Sequence, residues 1–352
     1  MKALRWHGAG DLRLEEVSDP PPPKPHEAVV EVSWCGVCGT DLHEFLEGPH
    51  MIRSGPHPLT GARPPLALGH EFSGTVLALG SEVSGIQVGD RVTADPVWRC
   101  GTCYWCVRGE YHICPKSGSV GLASPGGFAD RVTVPLAGLT RLPDNVTDEM
   151  AALAEPLAVG LHAVTRAGVG PGDNVLVVGG GPIGFAVVLA ARLAGAAGLY
   201  VSEPLKERRE KLLDLGVTEA FDPRETDVRR EVFLRTGRIG PDVVIDATGV
   251  ASLASQAVAT VRRGGRVVLA GVGHGNVEID MGQLVFYERS VLGTLGYNFD
   301  IPRVIDLMST GRLDASALLT GRRSLDEGAE VFADLARDRA SHLKVLLTPK
   351  GL

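Results

Sequence analysis

The sequence predicts an α/β chain of two domains. Residues 1–157 with 297–352 form a β-rich domain, and residues 158–296 a doubly wound parallel-sheet domain. Three observations predict this. Short β-rich runs between glycine and proline turns fill the first half, and strands and helices alternate from about Ala158. Between an apolar strand and an apolar helix lies one glycine-rich turn, Gly179-Gly180-Gly181-Pro182-Ile183-Gly184. Alternation of this kind implies a parallel sheet with helices on both faces, and 352 residues suffice for about two domains.

In chain order, residues 28–32, 74–78 and 131–134 are β-rich. Pro20, Pro21, Pro22, Pro23 and Pro25 cannot occupy a central strand or a helix interior, so they mark an exposed connector. Gly80, Gly85 and Gly89-Asp90 punctuate turns. Residues 175–178 read as a buried strand and 182–193 as a helix, with Pro182 suited to the first turn. Strand 199–202 and helix 206–215 follow, the latter ended by Gly216. Strands 243–246 and 266–269 flank helix 252–261. The alternation stops near 296–302, after which helix 303–308 and strand 343–347 are expected to return to the first domain.

A formal net charge of −7 and a pI near 5.8 leave no basic footprint for nucleic acid. The pairs Arg229-Arg230, Arg262-Arg263 and Arg322-Arg323 are scattered and read as solvated helix ends. The apolar stretch 175–201 is not a membrane span, because glycines interrupt it and Arg192 lies within it. The opening Met1-Lys2-Ala3-Leu4-Arg5-Trp6-His7 has no apolar run, so a cytoplasmic setting is expected. In a reducing compartment, clustered cysteines point to metal before disulfides.

The glycine-rich turn has the strand-before, helix-after context of a dinucleotide grip. Gly179 permits the tight turn, Gly181 lets the backbone approach a pyrophosphate, and Gly184 allows close helix–strand packing. Glu203, about 20 residues on, ends the next strand, where an acid accepts from ribose hydroxyls. A carboxylate there repels a 2′-phosphate, which favours NAD over NADP. Lys206, Arg208 and Arg209 nearby weaken that preference. The candidate cofactor residues are Gly179, Gly181, Pro182, Ile183, Gly184, Glu203, Arg208, Thr248 and Val272.

Two constellations of metal-binding residue types precede that turn. Cys100, Cys103, Cys106 and Cys114 can enclose one zinc tetrahedrally with no position left open, which stabilises a loop and performs no chemistry. An iron–sulfur centre takes the same ligands but would colour the protein. His112, inside that loop, is a bystander if four thiolates satisfy the metal. Cys38 and His70 are candidates for an open site, which takes three protein ligands and leaves the fourth position to water or substrate. Cys35 reads as a structural thiol.

The residues Cys38-Gly39-Thr40-Asp41-Leu42-His43, Gly69-His70-Glu71, the 100–114 loop, Glu155-Pro156-Leu157 and the 179–184 turn together resemble the zinc-dependent medium-chain alcohol and polyol dehydrogenases. The likeness spans essentially the whole chain in the family's order. It implies a GroES-like β-barrel catalytic domain, a Rossmann NAD-binding domain, and two zinc ions, one catalytic and one structural. Residues 43–49 and 57–61, with Val201-Ser202-Glu203-Pro204, are similar to the (R,R)-2,3-butanediol dehydrogenase branch.

By resemblance, Cys38 and His70 are zinc ligands, and the third is Glu71 or Glu155. Glu155 stands where simple alcohol dehydrogenases carry a cysteine. Thr40 and His43 match the family's proton relay, His43 passing the proton through the cofactor ribose to solvent. Asp41 would orient a ligand. Trp98 either lines the substrate pocket or packs the loop.

The leading expectation is an NAD-dependent zinc dehydrogenase of a secondary alcohol, a vicinal diol such as 2,3-butanediol, with acetoin as the ketone of the reverse reaction. A zinc polyol, cyclitol or L-threonine 3-dehydrogenase is the second, since the pocket decides the substrate. A non-catalytic dinucleotide sensor is the third. Related enzymes are dimers or tetramers, so a homodimer or homotetramer joined near residues 290–295 is expected, with no nucleic-acid or membrane partner.

Overall fold

The computed structural model describes residues 1–82, 84–273, 275–338 and 342–352. Two compact units make up the chain: Met1–Glu155 with Ile301–Leu352, and Pro156–Asp300.

The first unit is built on strand Glu27–Gly36. It pairs antiparallel with Glu71–Leu79 on one side, and with Arg131–Pro135 and then Lys344–Thr348 on the other. Bulges after Val29 and Val32 bend this strand, so its two halves serve different partners. Arg91–Ala94, Leu139–Arg141 and Leu319–Ser324 complete the seven-stranded sheet. A smaller sheet joins Asp11–Glu16, Lys2–Gly8 and Leu66–Ala67. Val30, Val32, Phe72, Phe128 and Phe332 are buried in one cluster. Phe332, on helix Gly328–Arg337, meets Phe45 and Phe128 edge-on with ring centres 5.7 Å apart, a favourable aromatic geometry.

Three helices, Gly39–Glu47, Asp148–Ala152 and Ala154–Ala167, depart from the strand-and-loop reading of the first segment. Gly39–Glu47 is helical and begins at the Cys38 motif. Ala154–Ala167 is helical and carries Glu155 in its first turn, so the expected change of texture near Ala158 falls inside a helix. Its opening residues, Ala154-Glu155-Pro156-Leu157, are too few to show a 3.6-residue period by themselves.

The second unit is a six-stranded parallel sheet in the order Glu219–Phe221, Gly198–Ser202, Asn174–Val178, Val243–Asp246, Arg266–Leu269, Ser290–Gly293. In chain order the first three strands step from the centre to one edge and the last three from the centre to the other, which is the doubly wound dinucleotide-binding topology. The apolar stretch 175–201 resolves into strand, turn, helix Pro182–Leu193 and strand. Among the described residues, no helix is long and apolar enough to cross a membrane.

Gly179 has φ +96°, a left-handed conformation that favours glycine. A Cβ on Gly184 would lie 1.9 Å from the Gly179 carbonyl oxygen, and backbone on both sides leaves no rotamer to relieve it. Gly184→Ala is therefore expected to destabilise the second unit by about 2 kcal/mol and to weaken nucleotide binding, as read by thermal melting with and without NADH. An unchanged melting temperature would contradict this packing.

Candidate active site and metal centres

Cys38 caps the N-terminus of helix Gly39–Glu47. Its backbone N–H donates to Asp41 Oδ2 at 3.0 Å, which fixes the turn. The other Asp41 oxygen faces His70 Nδ1 at 3.4 Å. Both residues are buried, Asp41 completely. With Nδ1 turned towards Asp41, Nε2 is left to bind, the arrangement typical of a metal-ligating histidine. Burial by itself lowers the His70 pKa, but the charges of Asp41 and Cys38 outweigh it and hold the imidazole well above its usual range.

His70 precedes strand Glu71–Leu79. Gly69, at φ +94°, allows the approach, since a Cβ there would stand 2.7 Å from Cys35 Sγ. Cys35 thus packs beneath the turn, and burial pushes its thiol well up.

Ligand atoms of Cys38, His70 and Glu71 lie within 4.8 Å of one another. Glu71, however, is already engaged. Lys344 Nζ donates to both its oxygens at 2.7 Å and to the Val37 carbonyl at 3.1 Å. A Cβ on Gly36 would fall 2.3 Å from Glu71 Oε2, so glycine at that position leaves room for the carboxylate. Lys344 is 2% exposed and Glu71 0%. Burial lowers the Lys344 pKa, and the Glu71 carboxylate reverses this to hold it above the usual value.

Glu155 lies outside that 4.8 Å cluster, yet the charges of His70, Glu71 and Lys344 act on it. Desolvation raises its carboxyl to about 7. Among the described residues, no hydrogen bond or ion pair is found for its half-buried carboxyl. A half-buried carboxyl without a protein partner, close enough to His70 to feel its charge, suits a bound dication.

Thr40 Oγ1 stands 3.7 Å from Cys38 Sγ. His43, one helical turn further on the same face, is exposed. Trp98 donates from Nε1 to Ser124 Oγ at 2.8 Å and packs on the first unit's core. It lines a cavity of about 500 Å³ with Leu59, Thr60 and Pro65, and none of the zinc candidates lines that cavity.

The four loop cysteines also converge within 4.8 Å, with Cys114 Sγ 3.6 Å and Cys106 Sγ 3.9 Å from Cys100 Sγ. All six cysteines are free thiols. Backbone N–H groups, that of Thr102 first, draw the Cys100 thiol down to about 6, whereas burial and its neighbours push Cys106 up to about 12. Four sulfurs this close cannot all ionise without a cation among them, so the group fits a closed tetrahedral site. His112 is not among the converging ligands. The loop is anchored by Tyr111, whose hydroxyl donates to the buried Asp95 at 2.5 Å while Arg99 lies over its ring at 3.9 Å.

In the second unit, Gly181 caps helix Pro182–Leu193, with Pro182 in its first turn. The Gly180 N–H donates to Glu203 Oε2 at 2.6 Å, and the Leu205 N–H to Oε1 at 2.9 Å. Glu203 therefore shapes the turn and keeps acceptor capacity for a ribose hydroxyl. Arg208 Nη1 would lie 3.8 Å from a Cβ on Gly181, beside the phosphate cradle. Thr248 donates to Asp246 Oδ1 at 2.6 Å, and its Cγ2 would be 2.7 Å from a Cβ on Gly179. Val272 is 66% exposed, its carbonyl against Gly249. Ile183 is half-buried.

Residues 24–144 match the alcohol dehydrogenase GroES-like domain, and residues 182–310 the zinc-binding dehydrogenase family. The chain is 38% identical to (R,R)-butanediol dehydrogenase of Bacillus subtilis over 99% of its length and 100% of the relative's. This chain belongs to the zinc-binding alcohol dehydrogenases. A solved structure of 2R,3R-butanediol dehydrogenase from B. subtilis superposes with TM-score 0.92 at 38% identity, covering 99% of both chains. A zinc-binding dehydrogenase from Sinorhizobium meliloti, bound to NADP, superposes with TM-score 0.88 at 35% identity, covering 99% of both. L-threonine 3-dehydrogenase of Pyrococcus furiosus is 34% identical over 94% of this chain and 93% of its own.

Lys344, Asp95 and Tyr111 escaped the reading of this dehydrogenase from sequence. For Lys344 a signal existed: one lysine in the apolar run Leu343-Lys344-Val345-Leu346-Leu347. Removing it strands a buried carboxylate, so Lys344→Met is expected to cost about 3–5 kcal/mol in denaturant unfolding. Combining it with Glu71→Gln should recover much of that loss. Equal instability of the single and double variants would show that the pair is not the cause.

Proposed function

We propose that this dehydrogenase uses zinc and NAD to interconvert 2,3-butanediol and acetoin. Likeness to butanediol dehydrogenase along 99% of the chain carries the substrate reading. For the reactive metal we propose Cys38, His70 and Glu155 as ligands, with Glu71 held back by Lys344; one thiolate and one carboxylate neutralise a dication. Cys100, Cys103, Cys106 and Cys114 would hold the second, structural zinc.

When bound, zinc in such a site polarises the substrate hydroxyl and lowers its pKa, and NAD accepts the hydride. Asp41 keeps His70 in the binding tautomer. Thr40 takes the hydroxyl proton, and the exposed His43 releases it to solvent. The alcohol thus loses a hydride and a proton to become a ketone. The nucleotide rests on the 179–184 turn, with Glu203 towards the ribose and Arg208 beside the cradle.

Threonine or polyol oxidation is the second reading, supported by the 34% identity to a threonine dehydrogenase; the metal and nucleotide residues do not separate these substrates. A non-catalytic sensor would have no use for Thr40 and His43. We place the enzyme in the cytoplasm, where its six unpaired thiols stay reduced. It would form a homodimer or homotetramer along the edge strand Ser290–Gly293, beside the exposed Met281, Val285 and Phe286.

A panel of butanediol stereoisomers, glycerol, sorbitol, inositol and threonine should give fastest NAD reduction with (2R,3R)-butanediol. Fast turnover with threonine alone would overturn the substrate. Cys38→Ser should lose one of two bound zinc ions and about a thousandfold in kcat/KM, and full activity with full metal content would remove Cys38 from the site.

A further inference from the structure

Glu203 and Asp222 stand side by side at the carboxyl ends of adjacent parallel strands. Ser202 pairs with Phe221, and the Glu203 N–H donates to the Phe221 carbonyl at 3.0 Å, so the next residue on each strand opens at the same edge. That edge is where open α/β sheets bind ligands. The Glu203 carboxylate is turned inward, onto the Gly180 and Leu205 N–H groups.

Asp222 gathers two guanidinium groups. Arg224 grips it bidentately, Nε to Oδ1 at 2.9 Å and Nη2 to Oδ2 at 2.6 Å, the strongest common form of carboxylate recognition. Arg209 Nη1 reaches Oδ2 at 3.1 Å. Both arginines also cap the strand end: Arg209 donates to the Glu203 and Pro204 carbonyls at 2.8 and 2.7 Å, and Arg224 to the Pro204 carbonyl. Asp222 is buried, whereas the Arg224 side chain is 64% exposed. The Arg224 guanidinium holds the Asp222 carboxyl well below the usual carboxylate range. Two carboxylates and two guanidiniums therefore balance at the place where the adenosine ribose is read.

We propose that Asp222 is a coenzyme-specificity residue. It commits the guanidiniums of Arg209 and Arg224 to itself, so that neither serves a 2′-phosphate on the adenosine ribose. The proposal rests on reading the 179–184 turn as a nicotinamide dinucleotide site, and it adds a second determinant to Glu203. Glu203 disfavours the phosphate by repulsion. Asp222 disfavours it by occupying the cations that would otherwise pair with it, and planar bidentate guanidinium is the side chain best suited to phosphate.

Asp222→Asn removes the charge and keeps an oxygen for the Arg224 backbone N–H, which Asp222 Oδ1 accepts at 3.0 Å. In the zinc-loaded full-length protein, calorimetric affinity for 2′,5′-ADP relative to 5′-AMP should rise about tenfold on this substitution. The ratio of kcat/KM for NADP to that for NAD should rise in step. Adding Arg209→Ala and Arg224→Ala should abolish the gain, which a merely structural role for Asp222 would not produce. An unmoved or falling ratio overturns the proposal. If Asp222→Asn does not fold, the exposed Arg224→Ala is decisive: because its guanidinium is already committed to Asp222, 2′,5′-ADP affinity relative to 5′-AMP should change less than about twofold, and a several-fold fall, which would mean that Arg224 serves the 2′-phosphate in the parent, overturns the proposal. A parent protein that binds neither nucleotide overturns the nucleotide-site reading itself, whereas 5′-AMP binding with an unmoved ratio overturns this inference alone.

Discussion

Lys344 and Glu71 form a wholly buried ion pair, and the chemistry of the first unit is arranged around it. Lys344 opens the last strand, and Glu71 opens the strand that follows His70. Their contact, with Lys344 also on the Val37 carbonyl, ties the C-terminal strand to the segments that carry Cys38 and His70. Charges so buried are tolerable only when paired and fully hydrogen-bonded. Such a pair adds little net stability over an apolar core, and its value here is positional. It engages the carboxylate nearest the Cys38–His70 pair, which is why Glu155 is the carboxylate proposed to complete the ligand set.

The two metal centres show how local sequence and tertiary structure divide the work. The loop site needs only fifteen consecutive residues and a wrapping turn, and the 100–114 loop supplies its own four sulfurs. The proposed reactive site draws on distant segments, which gives an open position rigid walls. Cys38 comes from a helix N-terminus, His70 from the start of a strand, and Glu155 from the first turn of another helix. Asp41 and Lys344 then lock two of the participants in place. The nucleotide turn follows the same logic: Glu203, twenty-three residues from Gly180, fixes its backbone.

What was legible in the sequence follows from this division. The glycine turn, the four-cysteine loop and the Cys38 and His70 motifs are short and contiguous, so their residue types and spacing are visible directly. The second unit's strands alternate with helices of clear apolar character, and their order follows. Helix Gly39–Glu47 was not legible as a helix because it is short and starts on glycine, a poor helix former. The Lys344–Glu71 contact spans 273 residues, and nothing in either local stretch names its partner. The Asp222 cluster hides for the same reason. Arginines on an acidic chain read as solvated until the strand register places two carboxylates side by side.

A crystal structure of the zinc-loaded enzyme tests the central claim most directly. The account predicts a Glu155 oxygen at about 2.0–2.2 Å from the metal held by Cys38 and His70, with both Glu71 oxygens still on Lys344 Nζ. Zinc bound by Glu71, with Lys344 displaced and Glu155 left free, would contradict it.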